Sequence, residues 1–164
     1  MNLTHLDPEG RPVMVDVSAK GVTRRRAAAA GYLQLDPECA EALEAGGGPK
    51  GDPWSTARIG AVGGAKRAWE LIPLAHPLAL DGVTVEHHWD AALRRAWFRV
   101  EVTVEGRTGV EMEALAGVSA GLLVLYDMLK AVSHRMEIGP VRLLLKEGGR
   151  RGRILEPWPE CPWK

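Results

Sequence analysis

The chain has 164 residues, of which 46% are hydrophobic and 26% are charged, with 21 basic and 21 acidic side chains. This length supports one compact domain, and the zero net charge gives no general attraction to nucleic acid or to an anionic membrane. Near-neutral domains tend to associate, which suits an oligomer. The two cysteines, Cys39 and Cys161, build neither a zinc motif nor a disulfide framework. The first residues lack the regions of a signal peptide, so we expect a cytoplasmic protein.

The first half of the chain predicts an arm, two strands and two helices. Residues 1–12 are rich in turn residues and are expected to form a flexible arm. Strand candidates follow at 13–17 and at 22–35. Asp36-Pro37 and Asp52-Pro53 each place a capping side chain before a proline, which predicts helices to residue 45 and to about residue 71. The second of these helices is rich in glycine and alanine, which favours close packing on another helix.

The second half predicts a hairpin, a long helix and a final strand. Prolines bracket an extended connection at 72–78, and residues 83–89 and 96–104 alternate as half-buried antiparallel strands do. Gly139-Pro140 is expected to break the chain before a strand at 141–145. One domain is assigned to 13–152, and the glycines and prolines that follow residue 147 predict a flexible tail at 153–164. The order of elements predicts an α+β fold, a ferredoxin-like antiparallel sheet with helices packed on one face.

Residues 108–132 predict the helix around which the chain is organised. Thr108 followed three residues later by Glu111 is typical of a capping box, so the helix is expected to begin there. Between Ala114 and Tyr126 no residue is charged, and small residues stand where a solvated surface would carry lysine or glutamate. We therefore expect a helix buried on both sides with ionisable groups at its ends. The apolar stripe contains Leu115, Val118, Leu122, Leu125, Leu129 and Val132, and the opposite side contains Glu113, Asp127, Lys130 and His134.

Each ionisable candidate also has a purely structural interpretation. Glu111 and Glu113 suit the start of a helix, and Asp127 and Lys130 can form a surface pair. Three further side chains can be solvated or can bind a ligand: His76 in a proline-bracketed loop, Lys50 in a glycine-rich loop and Lys146 before a glycine-rich turn. A glycine-rich turn of this kind can bind phosphate.

Several classes of site are poorly supported. His87 and His88 point to opposite faces of a strand, which weakens a metal site. The sequence contains neither a Walker-type phosphate loop nor the serine-hydrolase elbow.

Seven short blocks occur together in an order and spacing that resemble one protein family. The blocks are Met14-Val15-Asp16-Val17-Ser18-Ala19-Lys20, Lys50-Gly51-Asp52, Thr56-Ala57-Arg58-Ile59, Leu71-Ile72-Pro73-Leu74-Ala75-His76-Pro77-Leu78, Thr108-Gly109-Val110-Glu111-Met112-Glu113-Ala114-Leu115, Tyr126-Asp127-Met128 and Ile138-Gly139-Pro140-Val141-Arg142-Leu143. Over about residues 3–152 the chain thus resembles the MoaC family, the cyclic pyranopterin monophosphate synthases of molybdenum cofactor biosynthesis.

The resemblance implies a lyase that converts 3′,8-cyclo-7,8-dihydro-GTP into cyclic pyranopterin monophosphate with loss of diphosphate. It also implies a ferredoxin-like subunit in a homohexamer, a trimer of dimers, with active sites at subunit interfaces. By this resemblance Asp127 is the catalytic acid/base, Lys130 is its partner, and Lys50 is a further catalytic residue. The substrate-binding residues implied are Leu74, Ala75, His76, Glu111, Met112, Glu113, Lys20 and Lys146.

The implied chemistry agrees with the residue types. Opening a purine ring and building a pterin involve proton transfers, which carboxylates and lysines can carry out as general acids and bases. No cofactor is therefore expected. A divalent ion such as Mg²⁺ is compatible with the phosphates but is not indicated by the sequence. Relatives usually have Cys where this chain has Ala75, so a thiol there is not essential to the reaction. Donors for the triphosphate are expected from Lys20, Arg24, Arg26, Lys146 and Arg150.

Two further expectations concern assembly and alternatives. The ends of the central helix are ~20 Å apart, too far to share one small pocket, so a site that combines them needs a neighbouring subunit. A regulatory module that binds a nucleotide or pterin without turnover is a different interpretation of the same scaffold. RNA binding is a third, and it is disfavoured because the strands lack paired aromatic residues for base stacking.

Overall fold

A computed structural model describes residues 6–47, 50–150 and 152–163 of the chain. Its elements are β1 (Thr23–Gln34), α1 (Pro37–Glu44), α2 (Pro53–Lys66), α3 (Ala68–Leu71), β2 (Gly82–Asp90), β3 (Arg95–Gly106), α4 (Glu111–Leu129), β4 (Glu137–Glu147) and β5 (Ile154–Leu155). The strands form one antiparallel sheet in the order β2-β3-β1-β4-β5. Up to β4 this is the β-α-β-β-α-β succession of a ferredoxin-like fold. The predicted α+β class is confirmed.

The central strand β1 contributes buried side chains to both faces of the sheet. Ala27 pairs with Val102 in the core beneath the helices, whereas Ala30 packs with Trp97 and Trp158 on the opposite, outer face. All four consecutive alanines of β1 are fully buried. Helix propensity would favour a helix for such a run, but burial on both faces of a sheet outweighs it.

Small residues allow α2 and α4 to pack at close range, as the sequence predicted. A Cβ added to Gly64 would lie 2.3 Å from the Cβ of Ala120, and one added to Gly60 would lie 2.6 Å from a methyl carbon of Val124. The helix α4 is long and apolar enough, by length and composition alone, to span a membrane. It lies instead between α2 and the sheet, so its apolar character belongs to the core of the domain.

Aspartate caps begin the first two helices as predicted. Asp36 accepts a hydrogen bond from the backbone amide of Cys39, and Asp52 accepts one from the amide of Ser55. The second helix ends at Lys66, earlier than predicted, and the separate short helix α3 follows it.

The capping box predicted at Thr108 is wrong. The helix α4 begins at Glu111 with Val110 as its N-cap residue, and within the described residues no side chain caps this end. The carboxylate of Glu111 forms an ion pair with Lys146 of β4 instead. A charge-assisted partner from a distant strand has replaced the local capping bond.

Two strand predictions also differ from the structure. Residues 13–17 have no regular secondary structure and lie outside the strands of the described chain. Gly139 and Pro140 do not break the chain: both lie within β4, where its register against β1 shifts. A bulge tolerates a proline that cannot donate to the ladder. Gly139 is needed because a Cβ there would lie 2.4 Å from the ring of Tyr32.

The segment after residue 152 is ordered on the outer face, unlike the flexible tail that its composition predicted. Ile154 and Leu155 pair with β4. Trp158 and Cys161 are buried against Trp97. These apolar side chains cover a face that the helices leave open, which composition alone does not reveal.

Candidate active site

The first group of candidate residues, which we call the Asp127 group, lies at the C-terminal end of α4. Asp127 is in the last turn of this helix, Lys130 is its C-cap residue, and Lys50 precedes α2. The ammonium nitrogen of Lys50 lies 2.7 Å from one carboxylate oxygen of Asp127, and that of Lys130 lies 2.7 Å from the other. Lys50 also donates to the backbone carbonyl of Asp127 at 3.0 Å. Because α2 and α4 pack antiparallel, the start of α2 brings Lys50 to the end of α4.

The two lysines fix the charge state of this carboxylate. Hydrogen bonds from Lys130, and then from Lys50, lower the pKa of Asp127 to about 2. The hydrogen bond and charge of Asp127 raise the pKa of Lys130 in turn. At neutral pH Asp127 is therefore a carboxylate and Lys130 is an ammonium, and the two are held as an ion pair. All three side chains remain about half exposed, so a ligand can reach them.

A second group, which we call the Lys146 group, lies at the N-terminal end of α4. Glu111 pairs with Lys146 of β4, and Glu113, one residue further into the helix than Met112, is 5% exposed. Burial, reinforced by the charge of Glu111, raises the pKa of Glu113. A raised pKa favours the protonated form of a carboxyl, and carboxyls perturbed in this way are frequent at functional sites. Met112 is 41% exposed at the same turn.

Arg25 joins the second group and was missed from the sequence. It is buried on the helix side of β1, where its guanidinium donates to the carbonyls of Gly106 at 3.3 Å and Arg107 at 3.4 Å. The signal was present: Arg25 is two residues before Ala27, so the same alternation that buries Ala27 turns Arg25 to the helix side. It therefore lies on the same face as Lys146, which is directly opposite Ala27.

Two arginines proposed as phosphate donors lie elsewhere. Arg26 is on the outer face and forms ion pairs with Glu101 at 2.6 Å and Glu147 at 3.3 Å. Arg24 is exposed on that same face. Strand alternation separates both arginines from Lys146 within one chain, and their role as phosphate donors stays a prediction.

The remaining predicted residues lie in two loops. Leu74, Ala75 and His76 are half-buried after α3, which contacts α4. The exposed Lys20 is tied to the segment before α4, since its carbonyl accepts a hydrogen bond of 3.1 Å from Arg107.

The His76 loop lies close to the segment that leads to Lys20. The backbone amide of Ser18 lowers the pKa of Asp16 most, and the charge of His76 contributes to the same shift. Arg150, the last predicted phosphate donor, is exposed beside Gly149.

The two groups lie at opposite ends of α4 and differ in chemical character. Asp127 lies sixteen positions after Glu111 in the same helix, which corresponds to ~24 Å along α4. One end offers a carboxylate between two lysines, and the other offers a buried carboxyl with basic side chains. Across the described ranges no three His, Cys, Asp or Glu side chains converge as metal ligands. The arrangement suits proton transfer at one end and anion binding at the other.

These features define a small ferredoxin-like protein whose ionisable groups suit acid–base chemistry on an anionic ligand. The MoaC family model matches residues 14–149, and the chain belongs to the MoaC family. It is 50% identical over 151 residues to a cyclic pyranopterin monophosphate synthase from a Roseiflexus species, covering 92% of this chain and 96% of that protein. It is 46% identical to the synthase of the same name from a Nostoc species, covering 96% and 94%. The resemblance seen in the sequence is confirmed.

Proposed function

We propose that this protein is a lyase that converts 3′,8-cyclo-7,8-dihydro-GTP into cyclic pyranopterin monophosphate and diphosphate, an early step of molybdenum cofactor biosynthesis. Its similarity to synthases of that name over more than nine-tenths of its length supports this assignment. The observation that carries it is Asp127 held between Lys50 and Lys130, 2.7 Å from each. Such a cluster can relay protons during ring opening and pterin formation.

Each group has a role in this proposal. Asp127 accepts a proton as a carboxylate, and Lys130 and Lys50 return protons and stabilise developing negative charge. Glu113 supplies a second proton-transfer group, because burial raises its pKa above that of an exposed glutamate and makes its carboxylate a stronger proton acceptor. Lys146 and Arg25 provide the positive charge for the triphosphate and for the departing diphosphate.

The remaining implied contacts complete the pocket. Leu74, Ala75 and His76 contact the substrate from the loop after α3. Glu111 and Met112 contact it from the start of α4, and Lys20 contacts it from the segment before β1. Proton transfer and phosphate displacement require no redox cofactor, and we propose that these side chains carry the reaction without a resident cofactor.

The separation of the two groups also supports an assembly. We place the Asp127 group of one copy beside the Lys146 group of another, because ~24 Å along α4 separates them within one chain. The assembly proposed is a homohexamer, a trimer of dimers, that works in the cytoplasm on a small-molecule substrate. It has no nucleic acid or membrane partner.

The test is turnover of the cyclised GTP substrate by the purified protein, with and without a metal chelator, followed by detection of the pterin product. Asp127→Asn and Lys130→Ala should abolish turnover while light scattering shows an unchanged oligomer. Glu41→Gln, which changes an exposed carboxyl on α1 that belongs to neither group, should retain it. Absence of product from the wild-type protein would reject the lyase assignment. Substrate binding without product, unchanged in Asp127→Asn, would favour a regulatory binding module.

The interface is tested by mixing two inactive variants. Asp127→Asn chains and Lys146→Ala chains, unfolded and refolded together, should recover activity, because random assembly leaves roughly a quarter of two-copy sites with both native groups. If each site lay within one chain, the mixture would stay inactive. Each variant refolded alone serves as the control.

A further inference from the structure

The segment 152–163, which we call the C-terminal clasp, lies beyond the part of the chain that the family model matches. Ile154 lies opposite Lys146 in the β4–β5 ladder. The amide of Glu156 donates to the carbonyl of Leu144 at 2.9 Å. In an antiparallel ladder every second opposed pair is hydrogen-bonded, so Lys146 and Ile154 form the next such pair. The clasp therefore bonds the backbone of Lys146 directly.

The far end of the clasp is anchored by an aromatic cluster. The ring of Trp158 packs edge-on against Trp97, with 5.0 Å between ring centroids. The guanidinium of Arg142 lies 5.0 Å from the centre of the Trp158 ring on the same outer face. Trp158 is 8% exposed and Cys161 is 4% exposed. Burial of an indole and a cation–π contact stabilise this anchor.

Between the anchor and β4, the chain turns directly over Arg25. Gly148 and Gly149 both have positive φ angles, 95° and 77°. A Cβ on Gly149 would lie 2.0 Å from the Arg25 guanidinium, and one on Gly148 would lie 2.4 Å from the carbonyl oxygen of Arg24. The turn thus lies against one basic side chain and follows another, Lys146. An ion pair of 3.1 Å between Arg153 and Glu147 closes it.

We propose that the C-terminal clasp positions Lys146 and the glycine turn so that they bind the phosphates of the substrate, with Trp158 as the positioning residue. The proposal rests on the proposed function for the role of Lys146. Without the clasp, β4 would be an edge strand beside Lys146, and the turn would be held at one end only. An edge strand has unpaired backbone groups and frays more readily. The lysine would then have to be ordered at the moment of binding, which weakens affinity.

The test compares Trp158→Ala with Trp158→Phe in the full chain. The alanine variant should raise KM for the cyclised substrate about tenfold, the loss expected for one weakened charge-assisted contact. Its kcat should change less than about twofold, because the Asp127 group lies at the other end of α4. Phenylalanine keeps an aromatic ring in the anchor and should restore KM. Hydrogen exchange at the Lys146 amide should accelerate in the alanine variant alone.

Two controls separate positioning from loss of stability. Leu43→Ala creates a cavity beneath α1, where Leu43 is 4% exposed, and it should lower the melting temperature without raising KM. Ile154→Pro removes the amide opposite Lys146 while leaving Trp158 intact. It should raise KM as Trp158→Ala does, and it carries the test if that variant does not fold.

Binding of inorganic diphosphate, measured by calorimetry, distinguishes failure of this proposal from failure of the proposed function. Trp158→Ala should bind diphosphate about tenfold more weakly than wild type. If wild type gives no pterin product but shows this dependence, the lyase assignment fails and the clasp proposal stands. An unchanged KM and unchanged diphosphate affinity in both Trp158→Ala and Ile154→Pro would overturn the clasp proposal, as would a wild-type protein that binds no diphosphate.

Discussion

The contact between α2 and α4 permits a matched test on two consecutive glycines of one helix. A Cβ added to Gly64 would lie 2.3 Å from the Cβ of Ala120 and 2.9 Å from the carbonyl oxygen of Ala116. For Gly63, none of the described residues places an atom within 4 Å of an added Cβ. Alanine at these two positions therefore has the same helix propensity and opposite packing consequences.

The magnitudes follow from these distances. Replacing a helical glycine by alanine gains roughly 0.5–1 kcal/mol, so Gly63→Ala should stabilise the protein by that amount. A gain of 1 kcal/mol raises the melting temperature of a domain of this size by about 2–4 °C. At Gly64 the same gain is opposed by overpacking against another helix backbone, which costs about 1–3 kcal/mol. Gly64→Ala should therefore be destabilising by about 0.5–2 kcal/mol.

Urea unfolding of both variants beside wild type measures the two free energies of unfolding. Sedimentation must show the same oligomer in all three, since the exposed side of α2 can contact another copy. The expected result is a higher urea midpoint for Gly63→Ala and a lower one for Gly64→Ala, with equal slopes. Equal stabilisation by both substitutions would refute the close α2–α4 packing described above.

Two predictions concern the charged groups. Lys50→Met removes one of the two ammonium groups that lower the pKa of Asp127. This pKa should rise from about 2 yet stay below 3.8, because Lys130 remains. NMR titration of the carboxyl group measures the pKa, and an unchanged value would show that Lys50 does not contact Asp127 in solution. Glu113→Gln should stabilise the protein increasingly as pH rises above about 4.3, the ordinary pKa of glutamate. The folded state raises the pKa of Glu113, so ionisation above that pH costs stability in the native protein and not in the variant. Urea midpoints at acidic and neutral pH should diverge in that direction, and a pH-independent difference would contradict the burial of its charge.

The fold was largely predictable because its strongest signals are local and periodic. Alternation along β1 and β3 and the two Asp-Pro starts predicted elements that the structure contains. The same alternation could have assigned Arg25 to the helix side and Arg26 to the outer face. Charge alone favoured Arg24 and Arg26 as phosphate donors, whereas the period of two along β1 decides which face of the sheet each arginine occupies.

The wrong predictions share a different cause, which is a partner distant in the sequence. Glu111 suited a local bond to the segment at Thr108, but Lys146 provides an ion pair instead. Pro140 suited a chain break, but a register shift against β1 accommodates it within a strand. Trp158 lies in a proline-rich stretch typical of a tail, and only the uncovered outer face around Trp97 explains its burial. Local patterns contain no information about such partners.

The uncharged middle of α4 has a consequence for the proposed site. A helix packed on one side by α2 and on the other by the sheet cannot bend to bring its two ends together. Asp127 and Glu111 thus lie ~24 Å apart, and the α2–α4 contact that buries the middle of α4 also brings the start of α2, and with it Lys50, beside Asp127. Loosening that contact should affect both stability and the geometry of the Asp127 group. The proposed assembly agrees with this separation, because a neighbouring copy can bring its Lys146 beside an Asp127 that the helix keeps away from the Lys146 of its own chain.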